Sequence, residues 1–228
     1  MSIKCLNDVK NSFYINLLHR TDRNEHVTEQ LNNIGITATR FNAINMDNGA
    51  IGCSMSHLKI LQEAHKNKLD HVLIVEDDIT FLQPEVFKTQ INRFFKLHEN
   101  NWDVILLAGN NMPPFINIDD TCVKVSRCQT TTGYLVNGHY INKLAQNIKM
   151  GLTNLLNNPK DKFKFAIDKF WFLLQNSDKW YLIVPLTVVQ YEDYSDIEKK
   201  VTNYTKMMQD LDKAELLKTL KKRGQIIK

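Results

Sequence analysis

Glycine is scarce in this chain, with eight in 228 residues. No stretch reads G-x-G-x-x-G, and none reads G-x-x-x-x-G-K-[ST]. Those patterns let a backbone close on a pyrophosphate or cradle a triphosphate, so their absence argues against a dinucleotide cofactor and a P-loop. Cysteine is sparing too. Cys5, Cys53, Cys122 and Cys128 show no C-x-x-C spacing, which argues against a zinc motif and for reduced thiols. No apolar run reaches the ~18 residues of a membrane span, and "MSIKCLNDVKNSFYINL" has no apolar leader core. The expectation is a cytoplasmic protein, soluble or held at a membrane surface. The net charge of +4 is too small to argue for a nucleic-acid partner, and none is expected.

What positive excess there is lies at the end. From Lys213 to Lys228 there are five Lys and one Arg against one Glu. Hydrophobic residues make up 43% of the chain, enough for a full core and against global disorder. The length suits one α/β domain over 1–228, with 197–228 as a basic helical tail. That tail either packs on the domain or lies on an anionic membrane surface as an amphipathic helix.

Apolar patterning alternates between strand and helix. "SFYINLL" reads as a buried strand. "TDRNEHVTEQLNNIG" follows as a helix with Asp22 and Glu25 as a capping box and Gly35 as its end. "ITATRFNAI" is a strand, and "SMSHLKILQEAHKN" a helix. After "VLIV" comes a helix from Pro84, then "WDVILLAG" as a strand and "NNMPPFINIDD" as a loop. "TTTGYLVN" is a strand, and "GHYINKLAQNIK" a helix capped by Asn137. "AIDKFWFLLQ" is a short helix, and "YLIVPLTVVQ" two strands broken at Pro185. One long amphipathic helix is predicted to run through Leu220. The alternation predicts a Rossmann-like, mostly parallel central sheet with flanking helices, and such sheets bind ligands at the carboxyl ends of their strands.

The stretch "HVLIVEDDITF" puts Glu76, Asp77 and Asp78 at such an end. Three adjacent carboxylates repel one another unless something positive joins them. They form either an acidic surface turn or a site for Mg2+ or Mn2+, which take oxygen ligands and keep positions open for substrate phosphates. Strand alternation predicts Glu76 and Asp78 on one side and Asp77 on the other.

Seven blocks, in order, resemble glycosyltransferase family 25, the group of bacterial lipooligosaccharide β-galactosyltransferases and animal procollagen galactosyltransferases. They are "YINLLHRTDR", "GAIGCSMSHLKILQEA", "LIVEDDI", "TTTGYLVN" (the family's Thr-x-x-Tyr strand), "AIDKFW", "PLTVVQ" and "YSDIE". "WDVILLAGNNM" is closer to the procollagen type. The resemblance implies a GT-A fold, a UDP-sugar donor, Mn2+ (or Mg2+) and inverting transfer of galactose or glucose. The acceptor would be a saccharide, as in lipopolysaccharide biosynthesis, or a hydroxylated collagen-like side chain. The animal enzymes carry two such domains and targeting signals; one domain and neither signal are read here. A degenerate domain that binds a glycan without turnover is the alternative, against which the intact "EDD" and Asp168 speak.

The resemblance also nominates residues. Asn16, Arg20, Arg23, Gly52, Ser56, His57, Glu76 and Asp77 are expected at the donor, Arg20 and Arg23 as phosphate clamps and Gly52 to His57 at a helix start. Asp78, with Glu76 and Asp196, is expected to hold the metal; Glu192 and Asp193 are weaker candidates. Asp168 is expected to be the base that takes the acceptor's proton, its alternative being a helix cap. Cys53 and Trp171 read as packing residues, and His139 falls outside every block.

Overall fold

The computed structural model describes residues 3–195 and 200–222. In chain order, β1 (Ser12–Asn16), α1 (Thr21–Asn33), β2 (Thr39–Asn42), α2 (Gly49–Lys66) and β3 (His71–Glu76) form two βαβ steps. Then come β4 (Ile79–Phe81), α3 (Pro84–His98), β5 (Val104–Leu106), β6 (Asn110–Asn111), β7 (Phe115–Asn117), β8 (Cys122–Val125), β9 (Cys128–Gln129) and β10 (Gly133–Asn137). The helices α4 (Ile141–Asn157), α5 (Lys162–Phe165), α6 (Ile167–Phe170) and α7 (Phe172–Gln175) lead to β11 (Trp180–Ile183) and β12 (Val188–Gln190). The last elements are β13 (Asp193–Ser195), β14 (Lys200–Thr202), α8 (Thr205–Gln209) and α9 (Ala214–Lys222).

Eight strands form the central sheet in the order β2-β1-β3-β10-β5-β11-β8-β7. β1 pairs parallel with β2 and β3, and β5 with β11, while β10 and β8 are inserted antiparallel. Six of the eight strands therefore run one way, the mostly parallel α/β sheet expected from the sequence. Both faces are covered. Val72 and Ile74 of β3 join α2 and α4 in one core, and Leu73 and Val75 join α1 and α3 in the other. Burying each of these side chains contributes about 1.5–3 kcal/mol, and the strand ends one residue beyond the apolar run, at Glu76.

Several local expectations are corrected. Arg20, not Asp22, stands at the N-cap of α1; Asp22 lies in the first turn and accepts from Arg20 Nε at 3.0 Å, so there is no capping box. α2 starts at Gly49, where the Asn48 side chain accepts from Ala50 N at 3.1 Å, so Gly52, Ser56 and His57 lie inside the helix and not at its start. Asn137 does not cap α4; its Nδ2 donates to Trp102 O, and a 3-10 turn intervenes. The predicted loop after β5 contains β6 and β7, and "AIDKFWFLLQ" divides into α6 and α7.

The tail is not one long helix. It contains β14, which pairs antiparallel with β13 just before the tail, and then α8 and α9. Lys213 separates the two helices with a left-handed φ of 57°, which no continuing α-helix allows. Nor is Lys213 part of a solvated basic face: it is 1% exposed and Nζ donates to Met207 O at 2.5 Å. Among the described residues, no helix is long and apolar enough to cross a membrane.

Candidate active site

The carboxyl ends of β1 and β3 open into a cavity of about 300 Å3, and Glu76, Asp77, Asp78 and Arg23 all line it. Face parity carries Glu76 toward α2 and Asp77 toward α1, as predicted. Asp78 departs from the predicted alternation because β3 stops at Glu76 and the next two residues turn into β4. Its Oδ2 lies 3.6 Å from Arg23 Nη1, the same guanidinium nitrogen that reaches Asp77 Oδ1 at 3.0 Å.

Each acid has a different environment. Asp77 is held on both oxygens, by Arg23 Nη1 and by Asn16 Nδ2 at 2.7 Å. Burial still raises its pKa, against the pull of Asn16 and Arg23. Glu76 Oε1 accepts from Thr131 Oγ1 at 2.7 Å, with His57 Nε2 at 3.3 Å and Cys53 Sγ at 3.5 Å. Desolvation pushes Glu76 upward, yet His57 and Thr131 together bring it below its ordinary value. His57 is itself fixed, with Nδ1 2.7 Å from Tyr134 Oη. Cys53, His57 and Glu76 come close enough to hold an ion, but three donors on one carboxylate oxygen already account for the cluster.

Asp78 is the exception. Burial and then the Glu76 charge push it well above the carboxylate range, with Arg23 opposing. Its Oδ2 accepts weakly from Gln190 Nε2 at 3.5 Å, and its buried Oδ1 has no hydrogen-bond partner among the described residues. An orphaned carboxylate oxygen beside two other acids fits a divalent cation, which would supply the missing positive charge. Asp78 is thus the acid best placed for a metal; Glu76 and Asp77 are already engaged.

Other nominated residues are distributed unevenly. Gly52, Ser56 and His57 line the same cavity. A Cβ at Gly52 would stand 2.4 Å from Ile44 O, so only glycine lets α2 approach that loop. Ser56 Oγ donates to Gly52 O and accepts from Ile44 N, tying the two together. Asn16 and Arg20 do not line the cavity: Asn16 orients Asp77, and Arg20 binds Asp22 and Asp193. Asp193, a weak metal candidate, accepts from Arg23 Nε at 3.0 Å as well and pins the segment after β12 onto α1. Asp196 lies outside the described residues. Trp171 is fully buried, as expected of packing, and His139 pairs with Asp103 away from the site.

A second cavity, of about 400 Å3, adjoins the first and shares Cys53, Glu76 and Gln190 with it. Asp168 lines it from the first turn of α6. It is not the helix cap; Ala166 holds that position, and Asp168 Oδ2 accepts from Thr130 N at 3.2 Å. Burial raises its pKa, partly offset by the Lys169 charge 3.8 Å away. Phe163 stands on the rim, 81% exposed. The residues missed in the sequence are Thr131, Tyr134 and Lys169. The first two are the Thr and Tyr of the Thr-x-x-Tyr block, a pattern that names no partner until β10 lies beside β3.

The model of "Glycosyltransferase family 25 (LPS biosynthesis protein)" matches residues 45–154. No curated protein matches the chain. Among solved structures, it is similar to a glycosyltransferase involved in glycosylation of the major capsid of the virus PBCV-1, at 12% identity, 88% coverage of each chain and a TM-score of 0.45. A Drosophila β-1,4-galactosyltransferase 7 mutant, solved with manganese, UDP-Gal and xylobiose, shows 11% identity, 90% and 81% coverage and a TM-score of 0.39. A nucleoside-diphosphate-sugar pyrophosphorylase from Vibrio cholerae RC9 shows 14% identity, 88% and 81% coverage and a TM-score of 0.36. Likenesses this distant assign no role to any residue. The matched segment, a little under half of the chain, contains α2, the Glu-Asp-Asp strand end and the Thr-x-x-Tyr strand, and its likeness to the family 25 glycosyltransferases supports an enzyme that transfers sugar.

Proposed function

We propose that the chain moves a hexose, galactose or glucose, from a UDP-sugar to a saccharide or a hydroxylated collagen-like side chain, with inversion and with a divalent metal. The observation that supports this reading is the pair of adjoining cavities, one bearing Asp78 and Arg23, the other Asp168, with Glu76 and Gln190 between them. The donor occupies the first cavity and the acceptor the second, on a GT-A domain.

Asp78 Oδ1 would hold the metal, with Mn2+ or Mg2+ suited to its oxygen donors. A bound metal supplies positive charge to the departing diphosphate. Asn16 and Arg23 hold Asp77 in place, and His57 with Thr131 fixes Glu76 at the junction of the cavities. Asp168 takes the proton of the acceptor hydroxyl as that oxygen attacks the anomeric carbon. Thr130 N orients its carboxylate. The test is a thermal-shift panel: UDP with Mn2+ should raise the melting point, since ligand bound to the native state stabilises it, and ADP should do much less. UDP release from UDP-galactose and UDP-glucose then separates an enzyme from a glycan-binding relic.

A further inference from the structure

Outside both cavities, His98, Asp119 and Cys122 bring one nitrogen, one oxygen and one sulfur within 4.8 Å of one another. His98 is the last residue of α3, Asp119 sits in the turn before β8, and Cys122 opens that strand. His98 Nε2 lies 2.8 Å from Asp119 Oδ2 and 3.6 Å from Cys122 Sγ. A single ring nitrogen thus faces two donor atoms, although one N–H can serve only one of them well. A shared cation at that point would satisfy all three.

The surroundings are those of a prepared ligand set. Thr121 N and Oγ1 donate to the other carboxylate oxygen, Asp119 Oδ1, at 2.7 and 2.6 Å, which leaves Oδ2 for the imidazole side. The His98 ring is stacked against Phe94 at 4.4 Å and lies 5.6 Å from the Tyr181 ring. Such outer contacts fix the ligand atoms before a metal arrives. Sulfur, nitrogen and carboxylate together select a borderline-soft ion over Mn2+.

We propose that His98, Asp119 and Cys122 bind Zn2+, with solvent as the fourth ligand, and that this second metal site ties the end of α3 to the start of β8. It is separate from the metal of sugar transfer and predicts a different preference. The spacing, a His followed at a distance by D-x-x-C, contains no C-x-x-C, so no local cysteine pattern marks it.

Co2+ added to the reduced, metal-free full chain tests it, because cobalt reports thiolate ligation by a near-ultraviolet charge-transfer band. The wild type should show this band at one equivalent of Co2+, and Zn2+ should abolish it by exchange. Cys122→Ser and His98→Gln should lose the band, while Cys53→Ser and Asp78→Asn keep it. Zn2+ should raise the melting point of the wild type and leave that of Cys122→Ser unchanged, the two being compared at equal fold content by circular dichroism. No band in the wild type, or a band that survives Cys122→Ser, overturns the proposal; loss in Cys53→Ser alone would put the ion in the cluster beside Glu76 and overturn it equally.

Discussion

His57 Nε2 lies 3.3 Å from Glu76 Oε1, while its other ring nitrogen is 2.7 Å from Tyr134 Oη. The pair joins the middle of α2 to the end of β3, and Thr131 closes the same carboxylate oxygen from a third segment. Removing one donor should therefore be felt in stability and in chemistry. Thr131→Val is expected to cost about 1.5–3 kcal/mol, the range for hydrogen bonds to charged groups, as read by urea unfolding. Turnover should drop more than UDP affinity, because Glu76 stands at the wall between the cavities.

Asp78→Asn should have opposite effects on stability and on binding. Burial holds this carboxyl well above the usual range, so its ionised form opposes folding at pH 7. With chelator present, the Asn variant should melt at the same temperature as the wild type or higher. With Mn2+ present, the extra stabilisation by UDP should be lost. A variant that melts lower in chelator and binds UDP normally would remove Asp78 from the metal site.

Asp168→Asn keeps an oxygen for Thr130 N, so the fold and the UDP-stabilised melting point should be retained. Transfer should fall about 10²–10⁴-fold, the usual loss for a missing general base. A base works only when deprotonated, and burial raises the Asp168 pKa. The acid limb of kcat/KM should thus lie above the ordinary Asp value. Lys169→Met removes the charge that lowers that pKa and should move the limb to still higher pH, measured with saturating donor.

Gly52→Ala tests packing alone. Its Cβ would stand 2.4 Å from a backbone oxygen, Ile44 O, which cannot rotate away. Overpacking of this kind costs about 1–3 kcal/mol. Chemical denaturation should show that loss, and donor affinity should fall with it, since Ile44 and Gly52 both line the first cavity.

Asp178 gives a pH dependence of stability away from the site. Tyr140 Oη donates to it at 2.5 Å and Lys143 Nζ lies 2.7 Å away. Burial acts to raise its pKa, but Lys143 and Tyr140 outweigh it and the net shift is downward. A depressed carboxylate stabilises the fold above its unfolded pKa, about 3.9, and that contribution is lost as pH falls through the lower folded value. The stability gap between wild type and Asp178→Asn should be constant from pH 5 to 7 and narrow below about pH 4, by urea unfolding at each pH.

The sequence by itself determined the strand-helix alternation, the place of Glu76–Asp78 at a strand end, and the family blocks. Each rests on periodicity or on residues adjacent in the chain. Only the tertiary structure decided how the acids divide their work. Arg23 binds Asp77 because α1 packs against β1 and β4, on either side of the acids; Arg20, three residues earlier, turns to Asp22 and Asp193 instead. Thr131 and Tyr134 acquire meaning only when β10 inserts antiparallel beside β3, setting Gly133 against Val75 and bringing the Thr hydroxyl to Glu76. Lys213, the first cation of the basic tail, is buried because backbone carbonyls at Met207 and Asp210 receive its ammonium. Charge and local pattern describe a residue's own cost in water; its partners come from segments far away in the chain, and packing alone chooses them.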